Sequence, residues 1–234
     1  MKKGDVRRQA ILDAAEQLFF LRGYDDTSIQ DILDVLKLSK GGFYHHFESK
    51  QQLLEEICAQ RVEHTYKSLK EIFESSQIDP IQRLNLLFRQ GTFFGNSDMR
   101  YMQLILRTAY RGGLSTVKDR MRSATIERLE PLLHEILLDG MASKAFYTPY
   151  ADQVPRILLM LGIDLTDEVA EMIALDNSEK TYADVIDILQ AYRRCVEQLI
   201  NAPYGSIEVL DVSRMMQAAK AYNSEQWQIP AMPQ

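Results

Sequence analysis

Apolar positions recur three and four apart along almost the whole chain, and glycine or proline interrupts them at intervals of about twenty residues, a pattern that predicts successive helices and no strand. Ile11, Ala14, Ala15, Leu18 and Phe19 form one stripe of a helix over residues 5–22, with Gly23 placed to end it as a left-handed C′ residue. Thr27-Ser28-Ile29-Gln30 reads as a capping box that starts a second helix at Ser28, whose apolar side is Ile29, Ile32, Leu33 and Leu36. Ser39 caps a very short third helix, and Ser49-Lys50-Gln51-Gln52 is a second capping box, opening a fourth helix that runs to about residue 75. Further helices are expected near 79–95, 98–111, 115–139, 153–175, 180–202 and 207–222, with a loose tail from Gln226. Pro131 should kink or split the 115–139 helix, because it removes a backbone donor and crowds the preceding turn. The fold class is all-α, divided into an N-terminal three-helix domain over residues 1–50 and a helical bundle over 51–234.

Composition sharpens this picture. Of 234 residues, 46% are apolar, enough for a core without staples, and Cys58 and Cys195 stand in no metal-ligand spacing, which fits buried, inert thiols in a reducing compartment. Met1 leads straight into Lys2 and Lys3 and no apolar run reaches the ~20 residues of a membrane span, so a soluble, cytoplasmic protein without a membrane partner is expected. The net charge of -6 seats itself wholly beyond residue 50, since the first fifty residues hold eight Lys/Arg and eight Asp/Glu. Within those fifty, bases gather at Lys2, Lys3, Arg7 and Arg8, then at Lys37, Lys40 and Lys50, which allows a small basic face.

The second and third helices, joined by Val35-Leu36-Lys37-Leu38, form a helix-turn-helix candidate whose third helix would enter the major groove of DNA. Spacing alone leaves plain helical packing open. Residue chemistry favours DNA: in Lys40-Gly41-Gly42-Phe43-Tyr44-His45-His46-Phe47, Lys40 reaches a phosphate or a guanine edge and the glycines let the backbone approach the duplex. Two glycines cost about 1 kcal/mol each in a helix, so Phe43 and Phe47 must hold this segment by packing. His45 and His46 point about 100° apart on a helix, which argues against a metal pair. His64 and His134 are isolated, and Gly91-Thr92-Phe93-Phe94-Gly95 suggests a close helix crossing or a bend.

The run Thr27 to Leu54, TSIQDILDVLKLSKGGFYHHFESKQQLL, resembles the DNA-binding signature of the TetR (tetracycline repressor) family, and with the stripe of the first helix the resemblance covers about residues 6–60. It implies phosphate contacts from Thr27 and Ser28, base or backbone contacts from Lys40, Gly41 and His45, and phosphate clamps at Tyr44 and Lys50. Lys50 also lies in the first turn of its helix, where the dipole favours an anion. The chain departs from the family pattern at Lys37, where the turn usually has glycine, and at Leu33 and Leu36, which replace small alanines. A left-handed Lys37 costs about 1 kcal/mol or more, so another turn shape and a different recognition-helix angle are expected.

The resemblance further implies a ligand-responsive regulator, a palindromic duplex operator as partner, and an effector pocket in the middle of the chain. Phe88, Phe93, Met102, Tyr110 and Arg107 are the candidate lining, although methionine and aromatic stripes at helical spacing are mostly core. Helices 153–175 and 180–202 are apolar on more than one stripe, which suits a four-helix homodimer interface; the alternative is that the extra face packs on 207–222. Walker, nucleophile-elbow, dinucleotide-glycine, HExxH and zinc-cysteine motifs are absent, so neither an enzyme nor a cofactor is expected. A helical protein-interaction module, or an enzyme using a pocket in the bundle, are the other readings.

Overall fold

A computed structural model describes residues 3–75, 77–91, 101, 104–105, 108–109, 114–175 and 178–209. Its helices are α1 (Lys3–Arg22), α2 (Ile29–Leu36), α3 (Lys40–Tyr44), α4 (Lys50–Ser75), α5 (Pro80–Gly91), α6 (Ser115–Ala142), α7 (Val154–Leu175) and α8 (Glu179–Leu199). The chain is all-helical, with no strand among the described residues.

The α1 stripe is buried as a unit, and Gly23 closes the helix at φ +92°, its amide donating to Phe19 O at 3.0 Å. That stripe packs with Ile32, Leu33, Phe43, Phe47, Leu53 and Leu54 into the core of the three-helix head, and α4 continues from it into the bundle. In the bundle α4 lies along α6, α5 and α7 flank α6, and α8 packs on α7. Gly91 makes the crossing of α5 with α6 close: a Cβ there would stand 2.7 Å from Leu129 Cδ1. The crossing of α7 with α8 is fixed by Tyr192, whose buried hydroxyl donates to Leu158 O at 3.0 Å over Gly162.

Several local expectations are corrected. Helix α2 starts at Ile29, not Ser28, and its cap is one residue later than expected, with Ser28 and Asp31 forming the capping box instead of Thr27 and Gln30. Helix α6 runs unbroken through Pro131, which lies exposed while Leu129, Leu132 and Leu133 on either side are buried; packing of that face against α4 holds the helix where local propensity would break it. Residues Ile207–Val209 are not helical but form a strap across α5: Asn85 donates to Ser206 O and accepts from the Glu208 amide, both at 2.9 Å. Cys58 is buried, and burial pushes its thiol up to about 12, which keeps it protonated and inert; Cys195, in contrast, is exposed. The segment expected as a helix over 98–111 lies largely outside the described residues, as does everything from 210 onward.

Candidate nucleic-acid interface and effector cavity

The head presents one polar face built on α2 and α3. Ser28 caps α2 reciprocally: its hydroxyl accepts from the Asp31 amide at 3.1 Å while Asp31 Oδ2 accepts from the Ser28 amide at 2.7 Å and from the hydroxyl at 2.5 Å. The Ser28 hydroxyl and amide, with Arg22 beside them, hold the Asp31 carboxyl below its ordinary range. A lowered carboxyl pKa means that the cap contributes fully above the usual carboxylate range and is lost as pH falls through the lowered value.

The turn keeps the left-handed geometry: Lys37 sits at φ 51°, ψ 45°, with its amide on Asp34 O and Leu38 N on Leu33 O at 2.9 Å. The expected change of turn shape does not occur, because these bonds satisfy the carbonyls at the end of α2 and offset the cost of a Cβ at positive φ. Lys37→Gly removes that cost, and chemical denaturation is expected to show a gain of about 0.5–1 kcal/mol.

Ser39 then caps α3 by accepting from the Gly42 amide at 3.3 Å. Phe43 and Phe47 point into the core and Arg8 stacks over the Phe47 ring at 4.9 Å, so α3 is pinned despite its two glycines. The opposite side of α3 is open. Lys40, Gly41, Tyr44 and His45 are exposed together, Tyr44 by 55%, and Val35 and Lys37 flank them. A Cβ added at Gly41 would meet nothing within 4 Å, so no intramolecular contact calls for a glycine there.

Two of the expected contacts are placed elsewhere. Thr27 is wholly buried and its hydroxyl donates to Gly23 O at 2.7 Å and lies 3.3 Å from Leu18 O, so its side chain serves the α1–α2 corner and does not face outward. Lys50 turns its ammonium back onto Tyr24 O at 2.7 Å and over the Tyr24 ring at 4.2 Å, strapping α4 to that same corner. Ser28 remains exposed at the start of α2.

A second feature lies between α5, α6 and α7, a cavity of about 60 Å³. Leu87 and Phe88 of α5, Leu129 of α6, and Leu158 of α7 give it an apolar part, and Lys118, Arg122, Thr125, Thr166 and Asp167 line the rest. Phe88 is thus the one expected pocket residue placed here; Phe93, Met102, Arg107 and Tyr110 lie outside the described residues.

Residues 11–57, the whole of this head from the α1 stripe to the start of α4, match the family model described as bacterial regulatory proteins, tetR family. The head of this chain is similar to those of the tetR family. Among curated relatives, the transcriptional repressor DhaR of Mycobacterium sp. (strain GP1) is 28% identical over 43% of the chain and 56% of its own length. The repressor KstR2 of Mycolicibacterium smegmatis is 29% identical over 60% of the chain and 67% of its own length. The chain therefore spans between about half and two thirds of these relatives. Among solved structures, RolR in complex with resorcinol has a TM-score of 0.57 at 16% identity, covering 97% of this chain and 98% of RolR. A tetR-family regulator from Pectobacterium atrosepticum has a TM-score of 0.60 at 18% identity, covering 86% and 97%. At these identities the structural likeness shows the fold.

The likeness to bacterial regulatory proteins thus lies in the helix-turn-helix head, and no described helix is long and apolar enough to cross a membrane. Sequence reading located that head because every signal there is local. It missed Lys118, Arg122, Thr125, Thr166 and Asp167 of the cavity, which come from two helices some forty residues apart. On each helix they read as ordinary solvated positions; only the close approach of α6 and α7 brings them to one space.

Proposed function

We propose that this regulator is a ligand-responsive repressor of the cytoplasm that binds an inverted-repeat operator as a homodimer, with residues 1–50 as the reading head and 51–234 as the effector and dimerisation part. The observation that carries the reading is the outward face of α3. Lys40, Gly41, Tyr44 and His45 are exposed on a helix seated by Phe43 and Phe47, and Gly41 has no internal partner that demands its missing side chain. A glycine that weakens its own helix without an internal reason is explained by an outside surface that must come close. Lys40 and His45 supply donors for base edges or phosphates, Tyr44 a hydroxyl for phosphate, and Ser28 a second phosphate contact from the start of α2. Thr27 and Lys50 act indirectly, by fixing the corner from which α2 and α4 depart.

The dimer is supported by apolar side chains left at the surface of α7 and α8: Ile157, Met160 and Leu161 are each more than 40% exposed, and Ile186 and Leu199 lie beyond them. Such a patch is costly on a monomer and suits a four-helix seam with a second copy. The effector reading is supported by the cavity beside Phe88, and two relatives named as repressors and a fold neighbour solved with resorcinol agree with it. A ligand shifts DNA affinity only if it binds the two arrangements of the reading heads unequally.

Selection of bound duplexes from random DNA by the purified protein tests this reading. An inverted repeat with half-sites about 34–36 Å apart is expected. Affinity for the winner should fall steeply with salt, log K losing about 0.9 per phosphate neutralised for each unit of log salt. A folded dimer that enriches no sequence would overturn the operator reading and leave a protein-interaction module.

A further inference from the structure

We propose that residues 206–209 form a latch that holds the C-terminal half of α5 closed on the cavity, and that the cavity widens when Asn85 lets this strap go. The proposal rests on reading the cavity as the effector site and adds the device that governs its opening.

Of the three walls of the cavity, α5 is the one best able to move. It has 12 residues, against 28 in α6 and 22 in α7, and a helix of about three turns has little stability apart from its packing. Leu87, Phe88 and Gly91, all in its C-terminal half, line the cavity. The N-terminal half is tied down separately: Arg83 meets Asp139 of α6 at 3.0 Å and lies over the Phe73 ring of α4 at 5.8 Å. Near Gly91 the fit is tight, since a Cβ there would stand 2.7 Å from Leu129 Cδ1. A molecule larger than the present space of about 60 Å³ finds room most readily by displacing that half of α5, with the Arg83 end as the pivot.

The strap opposes this movement. Asn85 stands roughly 100° or more round α5 from the side chains that line the cavity. There its amide donates to Ser206 O and accepts from the Glu208 amide, both at 2.9 Å, so one side chain clasps the backbone on both sides of Ile207. Ile207 and Val209 are buried beneath this clasp. The strap is itself rooted in α8. The Glu197 carboxylate, wholly buried near the end of that helix, accepts from the Gly205 amide at 2.7 Å and from Arg194 at 3.2 Å, and Gly205 takes the turn at φ +78°. Arg89 adds only an exposed pair with Glu208 at 3.4 Å, which leaves Asn85 as the catch. Two hydrogen bonds from one residue are few enough to break on entry of a ligand and enough to keep α5 in place without one.

The test reads opening without any effector. In the full chain carrying Cys195→Ser, Thr166→Cys places one thiol at a cavity position that is 5% exposed, and the buried Cys58 of α4 is the second. Modification by methyl methanethiosulfonate is followed at both by mass spectrometry. Asn85→Leu keeps most of the bulk of the side chain and makes neither bond. It is expected to speed modification of the introduced thiol by about tenfold or more and to leave the Cys58 rate unchanged. Equal acceleration at both thiols would mean that the strap contributes only to global stability, and would overturn the latch. An unchanged rate at the introduced thiol would overturn it as well. Either of these results leaves the effector reading standing, because no ligand enters the measurement.

Discussion

Tyr44→Ala is expected to lower affinity for the selected duplex by about tenfold or more while leaving the melting temperature of the protein nearly unchanged. The side chain is 55% exposed, so little packing is lost with it, and exposed substitutions of this kind stay within about 0.5 kcal/mol. A single contact to a phosphate or a base edge contributes about 1–3 kcal/mol, which sets the expected loss in binding. Gly41→Ala gives the sharper contrast because its two readouts move in opposite directions. The new methyl group meets no atom of the protein within 4 Å, and alanine is the better helix former by about 1 kcal/mol, so the head should become more stable. DNA affinity should nevertheless fall, since the methyl group stands where the duplex backbone or a base edge must approach. Fluorescence anisotropy on the selected duplex and a thermal melt of the same preparations check both variants. Retained affinity in both would remove the outward face of α3 as the reading surface.

Phe43→Ala, one residue from Tyr44, is expected to abolish DNA binding by the other route, through the fold. Phe43 is fully buried, packs against Phe47 with ring centroids 6.1 Å apart and the rings tilted by 42°, and sits on a helix of five residues that carries two glycines. Truncating such a phenylalanine costs about 3–5 kcal/mol. A small domain is stable by only about 5–15 kcal/mol, and α3 has almost no helical propensity of its own to fall back on. Hydrogen exchange should therefore show loss of protection throughout α1–α3, with α7 and α8 retaining theirs. Phe43→Leu, which keeps most of the buried volume, should recover much of the protection and part of the DNA affinity. If Phe43→Ala left the amides of α2 and α3 protected, the account of α3 as a helix held only by its aromatic anchors would be wrong.

The family resemblance implied the outward setting of Tyr44, whereas the inward setting of Phe43 was legible in the sequence itself, because a short helix with two glycines needs an aromatic anchor. The same holds for the stripe of α1, the Gly23 stop, and the Ser39 cap: each is a signal carried within one or two turns of chain, where sequence neighbours are also spatial neighbours. Where two local signals compete, sequence stops short. Thr27 and Ser28 both offer a cap hydroxyl with a partner three residues on, Gln30 or Asp31, and only the α1–α2 corner decides between them, because it draws the Thr27 hydroxyl onto Gly23 O. Lys37 illustrates the reverse case, in which a local penalty was correctly foreseen and the turn forms regardless, on the strength of the bonds to Asp34 O and Leu33 O.

The sequence by itself determined the helical class, the composition of the N-terminal three-helix head, and which aromatic residues anchor it, since these depend on periodicity and caps. Tertiary structure alone decided that Pro131 lies within one continuous helix, that the Lys50 ammonium is spent on the Tyr24 carbonyl, and that Lys118, Arg122 and Asp167 share one space beside Phe88. Each of these depends on the approach of segments from distant parts of the chain. The free energy of such an approach comes from burying whole helix faces, and it is large enough to override the preference of any single residue.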